Sequence, residues 1–246
     1  MQKIIYYLLN KLFMNEVEKK ILKYLDKNNN NYIFDIGCFR GNFTNNLLKH
    51  ENKLGPKSNF FLFDPNPKTK IYLNELLKND KIKYSNFAID NTNSSKKFYL
   101  NKFFESSGSS LQTTQMNDKK WKLTRQIFMQ ILQPYKKVGD FVEINVETKT
   151  LDSFCNENNI DHIDLLKIDA EGNEFNILLG SEKLLINNKI NVIYVEISEK
   201  NENFEKKNDE IKNYLKKFGF KLEKSYPIKS FSFLSNLKAT DNLFIK

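Results

Sequence analysis

Short apolar runs recur along this chain, most of them closing on a carboxylate, and stretches of helical periodicity separate them. Tyr32-Ile33-Phe34-Asp35-Ile36 stops at Gly37, residues 59–64 read NFFLFD, 82–89 lead into FAID, and 163–169 end in KID. A continuous apolar run bounded by turn residues is the pattern of a strand buried on both faces. Helical stretches over about 42–50, 68–78, 151–159, 174–187 and 203–218 lie between or after these runs, with a further strand at 190–197. Strands alternating with helices imply a parallel sheet joined by right-handed crossovers. Ligands of such sheets bind beyond the carboxyl ends of the strands, beside the switch point. Two last strands, about 220–226 and 241–246, read as a hairpin and so as an antiparallel edge. The expected fold is α/β and Rossmann-like, with a mostly parallel seven-stranded sheet and helices on both faces.

A chain of 246 residues fills one such domain, and two full domains would be cramped. Residues 1–27 read as N-terminal helices, 2–13 and 15–26, with Asn15 as a cap between them. The alternation breaks after residue 90. Residues 96–100 and 140–149 read as strands, 104–114 as a Ser/Gly/Gln/Thr-rich loop, and 117–133 as an amphipathic helix closed by Pro134. The 101–140 segment is too short for its own core and reads as an inserted lid or cap. No run reaches the roughly 18 apolar residues of a membrane span. The opening MQKIIYYLLNKLF reads as a short amphipathic helix. It either docks on its own domain or makes a peripheral contact with a membrane, a partner or a second copy.

The formal net charge is +9, which by itself points toward nucleic acid or another polyanion. The basic residues argue otherwise. Of the 39, only Arg40 and Arg125 are arginine, the residue that forks onto phosphate. Lysines and acids are interspersed, as on a solvated surface. The 2 cysteines, Cys38 and Cys155, make neither a CxxC pair nor a disulfide framework. They fit a reducing, cytoplasmic setting.

Four places carry the chemistry. Asp35-Ile36-Gly37-Cys38-Phe39-Arg40-Gly41 ends the first strand, and its glycines let backbone approach a ligand with no Cβ in the way. It lacks the GxGxxG of a pyrophosphate site; an acid there suits a cationic ligand, an ammonium or a sulfonium. Phe63-Asp64-Pro65-Asn66-Pro67 ends the second strand, where an acid can accept from both ribose hydroxyls of a nucleoside. Asn86-Phe87-Ala88-Ile89-Asp90 ends the third, and its backbone or Asp90 could face an adenine edge. Lys167-Ile168-Asp169-Ala170-Glu171-Gly172-Asn173-Glu174 follows the strand that starts at Ile163. Its crowded carboxylates suit a general base, a hydroxyl clamp or a metal ligand, and Glu196 on the next strand could join them. Clustered carboxylates would accept a hard divalent cation, but no ligand spacing demands one.

On these residues the chain resembles the FkbM-type branch of the class I S-adenosylmethionine (SAM) methyltransferases. The matching stretches are FDIGCFRGNFT (34–44), FLFDPNP (61–67), FAID (87–90), TLDSF (150–154), KIDAEGNEFNILLG (167–180), NVIYVEIS (191–198) and NLFIK (242–246). The resemblance implies that Asp35, Gly37, Cys38, Gly41 and Asn42 hold the methionine part of SAM. It implies that Asp64, with Pro65 and Asn66, holds the ribose, and that Ala88 and Ile89 lie near the adenine. Asp169 and Glu171, grouped with Lys167 and Glu196 as catalytic candidates, would stand beside the transferring methyl. The family usually reads DxGAN in its first motif; here Cys38 and Phe39 replace the Ala and Asn.

An alcohol nucleophile must lose a proton as it attacks. Of the two histidines, His50 lies late in a crossover helix and His162 at the wrong end of its strand. The expected base or hydroxyl-orienting group is therefore Asp169 or Glu171, with Lys167, a cation beside acids, the poorer choice. The expected activity is O-methylation of a hydroxyl on a sugar, in a surface glycan or other glycoconjugate. Two rival readings are a nucleic-acid methyltransferase, motivated by the charge, and a non-catalytic subunit that keeps the fold. The intact acids argue against the second.

Overall fold

The computed structural model describes residues 16–27, 30–50, 53–101, 109–111, 141–228 and 237–246. The helix expected over 2–13 and most of the 101–140 segment, with its helix over 117–133, lie outside the described residues. Seven strands form the main sheet: β1 (Tyr32–Ile36), β2 (Asn59–Phe63), β3 (Ile82–Ser85), β7 (Ile163–Ile168), β8 (Ile190–Lys200), β9 (Lys221–Pro227) and β10 (Leu237–Ile245). Their spatial order is β3-β2-β1-β7-β8-β10-β9. The first five run parallel, and β10 is antiparallel to both β8 and β9. The expected mostly parallel seven-stranded sheet is what forms. Its terminal pair folds back so that the last strand lies inside and β9 takes the edge.

Strand alternation sorts the sheet's apolar residues onto two faces. Phe34, Phe61, Phe63, Leu166, Ile168, Ile193 and Val195 belong to one core. Helices α3 (Leu151–Glu157), α4 (Glu174–Leu179), α5 (Glu182–Ile186) and α6 (Asn201–Lys217) pack there through residues such as Phe154, Ile177, Leu185 and Ile211. Ile33, Phe60, Leu62, Leu165, Val192 and Leu243 face the other core. That side is covered by α1 (Asn42–Leu48), by Leu73 just after α2 (Thr69–Tyr72), and by residues 16–25, of which 16–21 are helical. Buried Glu18 accepts a 2.8 Å hydrogen bond from Asn46, which ties that segment to α1.

Three expected elements divide. The 82–89 run leaves the main sheet after β3, because Phe87 turns into an aromatic cluster with Phe63 and Phe154, with ring centroids at 5.8 and 6.0 Å. Its last residues, β4 (Ala88–Ile89), join β5 (Ser94–Asn101) and β6 (Phe141–Lys149) in a second sheet of order β4-β6-β5. The 68–78 helix shrinks to α2 and a 3-10 turn at Leu76–Lys78, and both Leu73 and Leu76 seat against Gly41. The 174–187 helix breaks at Gly180 and Ser181 into α4 and α5.

The TLDSF run explains that break. Thr150 caps α3 by accepting from the Ser153 N–H at 3.1 Å, and Leu151 and Phe154 are buried. The Asp152 carboxylate reaches across and accepts from the N–H groups of Lys183 (2.9 Å) and Leu184 (3.0 Å), capping the first turn of α5. At the break, a Cβ on Gly180 would lie 2.1 Å from the Asp90 carbonyl oxygen. Gly180→Ala should therefore cost roughly 1–3 kcal/mol by overpacking, read as a lower urea midpoint with an unchanged denaturant slope.

Candidate active site

The carboxyl ends of β1, β2 and β7 converge, and glycine makes the convergence possible. Gly37 has φ 73°, and a Cβ there would lie 1.7 Å from the Asp169 carbonyl oxygen. Gly41, with φ 68°, admits Leu73 and Leu76. The N–H groups of Gly37 and Cys38 both donate to the Phe63 carbonyl, at 2.9 and 3.2 Å. The turn after β1 is thus bonded to β2 and pressed against the loop after β7.

Beneath this turn runs a polar ladder on one face of the sheet. In register, Asp35 of β1 faces Lys167 of β7, which faces Tyr194 of β8. Asp35 is fully buried. Its Oδ2 accepts from the Thr44 hydroxyl at 2.8 Å, and its Oδ1 lies 3.0 Å from Lys167 Nζ. Lys167 Nζ also donates to the Gly37 carbonyl at 3.2 Å and lies 3.5 Å from Asp169 Oδ2. Burial would lower the Lys167 ammonium's pKa, but Asp35 and then Asp169 more than offset it.

One expectation needs correction here. The Asp35 carboxylate does not open into the crevice, because Thr44 and Lys167 hold it inside. Lys167, the poorer choice of base, is in three-sided contact with anionic and carbonyl oxygens, which keeps its charge.

One step further along the same face lies a tier of acids. Asp169 follows Lys167 by two residues, Glu196 follows Tyr194 by two, and Asp241 of β10 is the register partner of Glu196. Because β8 and antiparallel β10 run on past the end of β7, Asp241, midway along β10, lies level with the carboxyl ends of the parallel strands. The Tyr194 hydroxyl lies beside the Asp241 carboxylate. Burial pushes the Asp169 carboxyl up, opposed by Lys167. Burial, then Asp169, Asp241 and Glu171, push Glu196 well above its ordinary value, and only Lys167 pulls it back. Asp241 is pushed up to about 7, mainly by burial, against the neighbouring Tyr194 hydroxyl. One buried cation thus stands beside a run of carboxyls. Asp241 and Tyr194 escape the sequence reading; the signal for Asp241 was a lone acid opening a strand that doubles back.

Glu171 shapes the loop after β7. It has φ 50° and Gly172 φ 109°, a left-handed pair that turns the chain back into α4. Strain of this kind in a non-glycine residue is characteristic of functional loops. The Ser110 hydroxyl, from the described fragment of the 101–140 segment, donates to the Glu171 carbonyl at 2.7 Å. Glu174 serves structure: its Oε1 accepts from the Gly172 N–H at 2.8 Å and its Oε2 pairs with Lys207 at 2.9 Å.

At the tip of β2, the Asp64 carboxylate accepts from the N–H groups of Phe39 (2.9 Å) and Asn66 (2.8 Å). Burial lifts its pKa to about 6 against those two bonds. Pro65 is partly exposed beside it, and Asn66 is buried with its Nδ2 lacking a partner among the described residues. Asn42 opens α1. The Cys38 side chain lies in the core, so that position meets the crevice only through its backbone. Ala88 and Ile89 are likewise buried, and Asp90 is buried against Lys96 and so presents no free edge to an adenine. Among the described residues, no three His, Cys, Asp or Glu side chains are placed to hold a metal ion.

A sheet of this order, with a glycine turn after its first strand, is the fold of the class I methyltransferases. The sequence model of the methyltransferase FkbM domain matches residues 35–222, and the chain belongs to that family. It is 29% identical over 187 residues to the 2-O-methyltransferase NoeI of Sinorhizobium fredii (strain NBRC 101917 / NGR234), covering 75% of this chain and 70% of that protein. The crystal structure of methyltransferase FkbM from Methylobacillus flagellatus KT shares the fold, with a TM-score of 0.53 at 10% identity. The match covers 90% of this chain and 45% of that one.

Two outcomes follow from the ladder. Lys167→Met leaves Asp35 buried without its cation and should cost about 3–5 kcal/mol in chemical denaturation. Lys167→Met with Asp35→Asn should recover part of that loss. Asp241 titrates higher in the folded chain than in the unfolded one. Its contribution is therefore fully present below about pH 4 and lost as pH rises through about 7. Asp241→Asn should match wild-type stability near pH 4. It should exceed it by roughly 1–3 kcal/mol at pH 8, measured by urea unfolding across pH.

Proposed function

We propose that this chain transfers the methyl group of SAM to a hydroxyl oxygen of a saccharide. The observation that carries the reading is the charge of the crevice. Asp35, Asp64, Asp169, Glu171, Glu196 and Asp241 line or underlie it, against Lys167 as the buried cation. That balance favours a positively charged sulfonium and disfavours the pyrophosphate of a dinucleotide. The residues fit SAM in other ways. The Gly37–Gly41 turn is seated against the Asp169 carbonyl, Leu73 and Leu76, Asp64 sits at the tip of β2, and Asn66 Nδ2, without a partner among the described residues, lies beside it. Family membership supports the same cofactor, and the relative's name, a 2-O-methyltransferase, supports an oxygen acceptor.

Bound SAM supplies a methyl group already activated on sulfur. The protein's share is to align the acceptor oxygen and remove its proton. In this reading the Gly37–Gly41 turn, with Asn42, holds the methionine end, and Asp35 acts through Lys167 to fix that turn. Asp64, Pro65 and Asn66 hold the ribose, and the β4 backbone at Ala88 and Ile89 borders the base. Asp169 and Glu171 orient the acceptor hydroxyl. Ser110, which belongs to the 101–140 segment, bonds the Glu171 carbonyl, which supports reading that segment as the acceptor's lid. A saccharide also suits the polar, acid-lined mouth better than nucleic acid does, since phosphates would meet carboxylates.

Calorimetry should show SAM binding to the full chain, weakened at least tenfold by Asp64→Ala. Radiolabel from SAM should pass to a panel of p-nitrophenyl glycosides of neutral hexoses and deoxyhexoses, and Asp169→Ala should abolish transfer. Absence of SAM binding would overturn the assignment. Binding with transfer to RNA and to no glycoside would overturn the saccharide.

A further inference from the structure

The reading above leaves the proton's destination open, and the β8–β10 register bears on it. Asp169 is a poor sink, since its Oδ2 lies 3.5 Å from a permanent cation. Glu171 is committed to a turn with its carbonyl bonded to Ser110. Glu196 differs from both. It is partly buried, and among the described residues its carboxylate has neither a hydrogen-bond donor nor an ion-pair partner. Its neighbours are Asp169 and Glu171 from the loop after β7, Lys167 on β7, Tyr194 on its own strand, and Asp241 directly across on β10. A carboxylate left without donors inside an apolar sheet is a stronger base than its paired neighbours.

The β8–β10 register sets Asp241 opposite Glu196, with the Tyr194 hydroxyl beside it, and Tyr194 stacks on Phe43 with ring centroids 5.8 Å apart. We propose that Glu196 receives the acceptor hydroxyl's proton and that Asp241, its partner across the β8–β10 register, is the positioning residue that tunes it. This rests on methyl transfer to oxygen as read above. The hydroxyl O–H bond breaks toward a Glu196 oxygen, and the freed pair on oxygen bonds the methyl carbon. The carbon–sulfur pair stays on sulfur. One carboxylate is neutralised as one sulfonium is, so atoms and charge balance. Like charge beside Glu196 raises its proton affinity, so Asp241 strengthens the base and moves its working range upward in pH.

The test is the titration of Glu196 in the full chain with S-adenosylhomocysteine present, followed by carbon NMR of labelled glutamate side chains and assigned with Glu196→Gln. Glu196 should titrate above the ordinary glutamate range in wild type. It should shift down by about one pH unit in Asp241→Asn, which removes the charge and keeps an acceptor for Tyr194. Asp241→Ser serves where the Asn variant fails to fold. On any glycoside that turns over, the ascending limb of the rate–pH profile should shift the same way. Glu196→Gln should lower the rate by roughly 10²–10⁴-fold with cofactor affinity unchanged. An ordinary Glu196 titration, or one unmoved in both Asp241 variants, would overturn the proposal, as would a rate loss without a shifted limb. Failure of the methyltransferase reading shows separately, as no S-adenosylhomocysteine binding in calorimetry, while the titration still reports on the pair.

Discussion

The site is organised around one buried ion pair. Lys167 and Asp35, adjacent in register on β7 and β1, sit where the parallel strands would otherwise be wholly apolar. A buried pair contributes little net stability, because desolvation offsets most of its attraction. Its value here is geometric. The same ammonium donates to the Gly37 carbonyl and lies near Asp169, so it joins the turn after β1 to the loop after β7. Gly37 then closes the distance, with no side chain between that turn and the Asp169 carbonyl. Remove the cation and the two loops lose their shared anchor while a carboxylate is stranded in the core.

From that anchor the electrostatics of the crevice follow. One cation cannot neutralise Asp169, Glu196 and Asp241 together, so their carboxyls hold protons more tightly than free ones do. With Asp241 pushed up to about 7, the tier offers both donors and acceptors to a polar ligand. It also remains net negative, which suits a sulfonium. The cost falls on stability: the folded chain must ionise these carboxyls as pH rises.

Much of this was legible in the sequence because burial leaves a strong mark. β1, β2 and β7 read as apolar runs because both faces are covered, and their closing residues Asp35, Asp64 and Asp169 stood out as acids where apolar residues belong. What stayed hidden depended on pairing across distance. Asp35 and Lys167 each look like candidates for the crevice, and only the β1–β7 register shows that they satisfy each other. Asp241 is 45 residues beyond Glu196 in number and directly opposite it in space. Short-range signals failed in the same way: the break at Gly180 is imposed by the Asp90 carbonyl and by an aspartate cap from α3, neither of which local periodicity contains.

The turn after β1 shows how a departure from the family's usual residues is accommodated. Phe39 stands where an Asn is usual and has φ 45°, a left-handed conformation that Asn tolerates and a bulky side chain does not. The position's contribution to the site is its N–H, donated to Asp64, and that bond survives any side chain. The strain, of order 1–3 kcal/mol, is met on the outer side of the turn. The Phe39 ring packs edge-on to Tyr72 at 5.6 Å, and the Arg40 guanidinium lies 5.5 Å from one ring and 5.0 Å from the other. Aromatic and cation–π contacts of this kind contribute about 0.5–1.5 kcal/mol each, enough to offset the backbone cost. The polar side chain can therefore be lost while the amide that fixes Asp64 stays in place.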